Sequence, residues 1–493
     1  MTFTSLSFVL FFIAVFILYW IIFNGKTKRQ NLFLLASSYF FYGWFEWKLL
    51  LLLFGISLAN YFIALMIQRT DKKIRRTIFI SGLIINIGTL FLFKYLHFFI
   101  DAFSSLLSFS GFHLDLYTTK IILPLGISFY IFLSLSYLID VYKQKLVADP
   151  CLIDVLLAFS FFPIIIAGPI HRPLWLLPQI KMKRTFSYDQ ATDGVKQILW
   201  GLFMKILIAD QCAGIVNTIF TDFRIYPASV LLIGIFLFTI QIYADFAGYS
   251  NLAIGVAKLL GFSIIKNFAY PYFARDIREY WKRWNISLTM WFRDYIFLPV
   301  AYTISGKLKS DRFFGVKSDI LIYTIGITIT WMLTGLWHGA NFTFIIWGLL
   351  QGLFLFLFHI SIKRRKRLLQ IIHINNKNKL FIFLETIITF CFVMFSWIFF
   401  RSDSIQNALA YLSRLLSKSL FHYPAISMPG MDITFAFLVI FLTIEWFGKK
   451  HEYAIAGWRN NLPKALRWTI YYAMLLAIFW FAGEQQQFIY FKF

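Results

Sequence analysis

One histidine, His338, lies in Gly335-Leu336-Trp337-His338-Gly339-Ala340-Asn341, within a long and otherwise largely apolar stretch over residues 320–358. Burying an ionisable side chain in hydrocarbon is costly, so such a group faces a cavity and does a job there. Two jobs suit it. It is a structural histidine with satisfied ring nitrogens, or a proton-transfer group, because an imidazole with an ordinary pKa of ~6.5 exchanges protons near neutrality. Gly335 and Gly339, one on either side, allow close approach by another backbone or a substrate. On a continuous helix Thr334 and Asn341 would share the face of His338 and give it polar company.

A second chemically suggestive stretch runs from Arg275 to Tyr295. Ile277, Tyr280, Trp281, Trp284, Leu288, Trp291, Phe292 and Tyr295 recur at three-and-four spacing, which predicts an amphipathic helix. An interfacial helix carrying an aromatic belt accounts for most of this pattern. Asn285 resists it. Four residues after Trp281 and three before Leu288, its amide falls on the aromatic side and needs a protein, ligand or water partner. A third polar group, Gln241, Tyr243, Asp245, Ser250 and Asn251, closes another apolar segment. A carboxylate at such a place usually pairs with an arginine or lysine.

The elements that position these residues follow from composition. Of 493 residues, 59% are hydrophobic and only 14% charged, against about 25% charged in a soluble domain. Apolar runs recur from end to end, at 7–23, 48–66, 77–92 and 121–139, then 198–208, 229–242, 320–336, 342–358, 381–400, 435–444 and 465–481. They predict an all-α polytopic membrane protein of roughly eleven to fourteen membrane segments, the shorter ones re-entrant or tilted. Pro163 and Pro169 break one apolar run and suggest a re-entrant element or two short spans. With no internal repeat or long linker, residues 1–493 read as a single membrane domain.

The net charge of +24 does not point to nucleic acid. Its basic residues cluster in short connectors around Lys26, Lys72, Lys181 and the run 363–367, the positive-inside pattern that assigns those connectors to the cytoplasm. Cys151, Cys212 and Cys391 are too widely spaced for a disulfide or metal-ligand motif, and no metal is expected.

Seven strings in order make a family resemblance. They are Leu123-Pro124-Leu125-Gly126-Ile127-Ser128-Phe129-Tyr130, Ala167-Gly168-Pro169-Ile170, Asp245-Phe246-Ala247-Gly248-Tyr249-Ser250, Tyr280-Trp281-Lys282-Arg283-Trp284-Asn285-Ile286-Ser287-Leu288, Trp291-Phe292-Arg293-Asp294-Tyr295, Trp337-His338-Gly339-Ala340 and Phe488-Ile489-Tyr490-Phe491-Lys492-Phe493. Together they resemble the membrane-bound O-acyltransferase family (MBOAT). The likeness is greatest to its bacterial branch of alginate and peptidoglycan O-acetyltransferase subunits, with the teichoic-acid D-alanylation protein more distant.

The resemblance implies an MBOAT-like fold with a central tunnel and His338 as the catalytic general base. It implies an acyl group, most simply acetyl, moving from a cytoplasmic thioester to hydroxyls of an extracytoplasmic envelope polysaccharide. Asn285 is the second catalytic candidate; it stands where this branch usually has histidine and can donate a hydrogen bond but not take up a proton. His171 is a candidate for the missing imidazole, or a cytoplasmic-edge loop residue. Trp337, Asn341, Thr334, Trp284, Asp245 and Tyr243 are substrate or tunnel candidates. No bound cofactor is expected; the co-substrate is acetyl-CoA or a carrier-bound acyl group. Expected partners are membrane lipids with a secreted esterase-like subunit or an acyl-carrier protein, and the expected location is the bacterial cytoplasmic (inner) membrane. D-alanyl or lipid acylation, and transport without chemistry, are the competing readings.

Overall fold

The computed structural model describes residues 1–110, 122–308, 310–313, 315–373, 375, 377–424, 426, 428–483, 486 and 488–489. Residues 490–493 of the last resemblance string, and residue 121 at the start of one apolar run, lie outside the described residues. The chain divides into two compact units, Met1–Ile198 with Leu252–Ile265, and Leu199–Asn251 with Lys266–Phe493.

Among the described residues the architecture is all α apart from one short antiparallel ladder, in which Arg312 pairs with Lys317 and Phe313 with Val316. In chain order the first helices are α1 (Leu6–Ile17), α2 (Thr27–Gly43), α3 (Trp47–Arg69), α4 (Lys72–Leu90), α5 (Leu96–Phe109), α6 (Ile127–Tyr142), α7 (Leu152–Ser160) and α8 (Pro173–Lys181). Next come α9 (Tyr188–Leu202), α10 (Asp210–Thr221), α11 (Ala228–Leu259), α12 (Ile277–Arg283), α13 (Ile286–Phe292) and α14 (Leu298–Lys307). The later ones are α15 (Ser318–His338), α16 (Phe342–Ile371), α17 (Lys379–Arg401), α18 (Ile405–Leu415) and α19 (Met431–Gly448), then α20 (Trp458–Asn461) and α21 (Lys464–Phe481).

Among the described residues, eight helices are long and apolar enough to cross a membrane, and Leu6–Ile22 and Ile127–Tyr142 are shorter apolar helices. The polytopic class stands. The short runs at 198–208, 229–242 and 435–444 lie within longer helices that can cross, whereas 7–23 and 121–139 fall mainly in the two shorter ones. The protein is a multi-pass membrane protein.

In the first unit a buried polar knot ties helix ends together. Arg184 donates to the Tyr19 hydroxyl at 2.6 Å and to the Ile180 carbonyl at 2.7 Å, and it also reaches Asn31. Asn31 in turn donates to Asp154 at 2.8 Å. After α7 the chain runs through buried turns over residues 161–168 rather than a helix, as the prolines require. Gly126, at φ +71°, begins α6 where a Cβ would sit 2.5 Å from the Ile165 carbonyl oxygen, so only glycine fits both the turn and that approach.

Candidate active site

His338 is the last residue of α15 and only 3% exposed. Two glycines set its position. A Cβ on Gly335 would lie 2.2 Å from the Phe344 carbonyl oxygen, and one on Gly348 would lie 2.2 Å from the Trp331 carbonyl oxygen. Helices α15 and α16 therefore pack backbone to backbone, the usual device for membrane helices that lack a strong hydrophobic drive to associate. The close approach allowed by Gly335 is made by a helix. Gly339 performs a related task, since a Cβ there would meet the Phe344 ring at 2.2 Å.

Aromatic rings then enclose the imidazole. Trp337 and Trp347 lie edge-on with centroids 5.0 Å away, and Phe400 of α17 is 5.3 Å away. From Trp347 a ladder continues through Trp397 (5.4 Å) to Trp284 (5.2 Å) and to Tyr243 (6.1 Å). Tyr243 ends it by donating to Glu445 at 2.7 Å. Fused rings in contact on several sides hold a side chain more rigidly than aliphatic packing does, because they have few rotamers.

Asn285 corrects the helical reading of residues 275–295. Its backbone is left-handed, φ 42° and ψ 54°, and it separates α12 from α13. Asparagine is among the few residues that tolerate this conformation. Asn267 fixes the break: the Ile286 amide donates to its main-chain carbonyl at 2.9 Å, and the Ser287 hydroxyl to its side chain at 2.9 Å. Trp281, Trp284 and Trp291 are buried, so they form core and not an interfacial belt. Asn285 itself is 2% exposed, and its Nδ2 has no hydrogen-bond acceptor among the described residues.

Beside His338, past Gly339, opens a cavity of about 460 Å³. Its polar wall includes Asn217, Gln241, Thr343, Arg401 and Asp403, and Phe400 and Phe344 form its apolar side. Arg401 donates to the Asn217 side-chain Oδ1 at 2.9 Å. The Thr343 hydroxyl (the residue is 1% exposed) and the Gln241 side-chain Oε1 have no hydrogen-bond partner among the described residues. A polar cavity with unused hydrogen-bonding groups beside a buried imidazole suits a hydroxyl-bearing ligand.

Similarity to known proteins bears on what that site does. The chain is 32% identical to the probable alginate O-acetylase AlgI of Pseudomonas aeruginosa over 459 residues, 92% of this chain and 82% of that one. It is 30% identical to the peptidoglycan O-acetyltransferase of Helicobacter pylori over all of this chain and 97% of that one. The chain belongs to the membrane-bound O-acyltransferase family. A more distant relative is the teichoic acid D-alanyltransferase of Bacillus subtilis, 26% identical over 57% of this chain and 70% of that one. No protein-family model matches, so membership rests on these relatives. As an MBOAT member the protein is an O-acyltransferase.

The remaining MBOAT candidates divide. Thr334 is on the His338 face of α15, but its hydroxyl is turned back to the Thr330 carbonyl at 2.8 Å. Asn341 does not share that face, because α15 ends at His338. It caps α16 instead, accepting from the Thr343 amide at 3.0 Å and donating to the Asp403 carbonyl at 3.0 Å. Asp245 forms the ion pair expected of it, with Lys205 at 2.8 Å, and also accepts from the Ile489 amide at 2.8 Å. Lys205 bridges to Asp210 as well, at 2.8 Å. Those commitments make Asp245 a structural anchor of the second unit.

His171 belongs to the first unit and is buried. Its Nδ1 accepts from the Ile265 amide at 3.3 Å, and Gln179 Nε2 lies 3.2 Å from its Nε2. Burial lowers its pKa to about 4, so it is a neutral structural imidazole near pH 7. Sequence reasoning overlooked Trp347, Trp397, Glu445 and the pair Arg401 and Asp403. Glu445 carried the same signal as His338, a lone ionisable group in an apolar helix. Arg401 could have been noticed as a charge directly ending the apolar run 381–400.

Proposed function

We propose that the protein transfers an acyl group, acetyl foremost, from a cytoplasmic thioester to a hydroxyl of an extracytoplasmic cell-envelope polysaccharide, with His338 as general base. The observation that carries this reading is the buried imidazole at the end of α15 beside a polar cavity. The polysaccharide class comes from the names of the relatives in Pseudomonas and Helicobacter. Orientation follows from charge. The end of α16 with residues 363–367 and the start of α15 with Arg312 and Lys317 are basic, so by the positive-inside rule that end is cytoplasmic. His338 and the cavity then lie about 30 Å away along α15, toward the outer face where a glycan arrives. The membrane is the bacterial inner membrane on this reading. The donor is acetyl-CoA or a carrier-bound acyl group, and an esterase-like subunit or acyl-carrier protein is the partner.

In the step itself, the imidazole takes the proton of the acceptor hydroxyl as its oxygen forms a bond to the thioester carbonyl carbon. The carbonyl oxygen becomes an oxyanion, for which Asn285 Nδ2 is a ready hydrogen-bond donor. Collapse breaks the carbon–sulfur bond, and the departing thiolate recovers the proton from the imidazolium. The aromatic enclosure keeps water, a competing acceptor, away from the thioester. The test uses cells carrying His338→Ala. Mass spectrometry of their envelope glycans is expected to show the O-acyl group lost while the protein remains in the membrane. A stably inserted variant that leaves acylation intact would rule out this role.

A further inference from the structure

A groove of about 1060 Å³ runs beside α16 between Phe354 and Leu369, with Phe381, Ile388 and Phe392 of α17 as its second wall. Leu357, Ile388 and Phe392 on its walls are exposed. Open apolar side chains on membrane helices are expected to meet lipid, so they alone mark no site.

The charge at one end distinguishes this groove. Arg275, Arg364 and Arg365 line it, and an adjoining recess of about 350 Å³ adds Arg278 and Lys366. The three acidic residues lining the two, Asp276, Glu279 and Glu385, are already engaged. Glu385 accepts from Arg275 at 2.7 Å and from Arg365 at 2.5 Å. Asp276 caps α12 through the amides of Arg278 and Glu279, both at 2.9 Å. Glu279 accepts from the Arg275 amide at 2.8 Å and from Arg283 at 2.5 Å. Arg278 lies over the Phe358 ring at 4.5 Å. Arg364 and Lys366 are exposed, and neither has a carboxylate partner among the described residues.

The trough is about 22 Å long at ~1.5 Å per residue, close to half the ~40–45 Å thickness of a bilayer with its headgroups. We infer that this groove binds one anionic phospholipid. Its acyl chains lie along the apolar walls of α16 and α17, and its phosphate sits at the basic end of the groove, at Arg364, with Lys366 of the adjoining recess adding positive charge nearby. Basic pockets at the cytoplasmic ends of membrane helices suit such headgroups. A thioester donor with a nucleotide part fits poorly, because its polar length would lie against phenylalanine, leucine and isoleucine side chains. The inference is independent of the reaction assigned to His338.

The full-length protein in neutral detergent is titrated with phosphatidylglycerol or phosphatidylcholine and read by native mass spectrometry. Phosphatidylglycerol is expected to bind more tightly. The Arg364→Gln/Lys366→Gln variant is expected to weaken it about 30-fold, from two lost headgroup charges. Lys28→Gln/Arg29→Gln, an exposed basic pair elsewhere, is expected to change it less than about twofold. Leu357→Trp, which fills the wall without altering charge, is expected to weaken it too. Equal binding of the two lipids would overturn the inference, as would an equal loss in the control pair or displacement of phosphatidylglycerol by coenzyme A.

Discussion

Replacing Gly335 with alanine sets a methyl carbon 2.2 Å from the carbonyl oxygen of Phe344, a main-chain atom that cannot swing away. Ordinary van der Waals contact needs ~3.5 Å, so α15 and α16 must part by about 1 Å at that level. Forcing volume into a packed interface costs about 1–3 kcal/mol. The consequence for chemistry is larger than the consequence for stability. His338 lies three residues further along α15, and its ring rests against Trp347 on α16 at 5.0 Å. Misplacing a reacting group by ~1 Å costs on the order of 100-fold in rate. The purified variant is therefore expected to insert normally, to melt a few degrees lower, and to transfer labelled acyl groups to the glycan about 100-fold more slowly. Gly306→Ala is the control, because a Cβ there meets nothing within 4 Å. It is expected to leave both quantities unchanged. A Gly335→Ala protein with the wild-type rate would refute the reasoning, since it would mean that the contact between α15 and α16 does not hold the imidazole in place.

Asn285→Gly keeps the left-handed backbone and removes only the amide, so thermal unfolding is expected to hold nearly steady while acyl transfer falls by about 10²-fold or more; unchanged transfer would exclude Asn285 from oxyanion stabilisation. Asn285→Ala is expected to lose about 1–2 kcal/mol of stability in addition, because alanine is strained at φ 42°. Lys205→Met strands the buried carboxylates of Asp210 and Asp245, and the expected cost is about 3–5 kcal/mol in denaturant titration; a cost below about 1 kcal/mol would mean that the cluster is not the anchor of the second unit. His171 has an ordinary pKa of 6.5 when unfolded and about 4 when folded. The unfolded chain thus binds the proton first, and stability is expected to fall as pH drops from ~6.5 to ~4 and to level off below. His171→Asn, whose amide oxygen takes the place of Nδ1, is expected to flatten that part of the melting-temperature profile; an unchanged profile would assign the acid sensitivity elsewhere.

Much of the fold was legible because apolar length is a local property. The runs at 48–66, 229–242 and 320–336 each lie within a helix long enough to cross a membrane, and Gly335 marked a close approach by a backbone or a substrate, which helix α16 makes. His338 stood out as a candidate for a related reason, since one ionisable group in hydrocarbon needs a purpose. The break at Asn285 was hidden, because Trp281, Trp284 and Leu288 have helical spacing whether or not the helix is continuous. What decides it is Asn267, a residue 18 positions earlier in the chain that holds the amide of Ile286. The cavity was hidden more deeply still. Asn217, Gln241, Thr343 and Arg401 come from four different helices, and only the folded chain brings them together. The face given to Asn341 was wrong because α15 does not continue past Gly339; the chain turns there, and Asn341 caps α16 while lining the cavity.

The central claim is that His338 moves the proton during acyl transfer across the membrane. It is tested most directly in proteoliposomes holding the purified protein and a labelled acetyl thioester inside, with the glycan acceptor outside. The wild-type protein is expected to leave label in ester linkage on the external glycan. His338→Ala is expected to reduce that by about 10²–10⁴-fold without altering the melting temperature by more than a few degrees. Label esterified at the wild-type rate by the variant, or label that crosses unesterified in the wild type, would contradict the account.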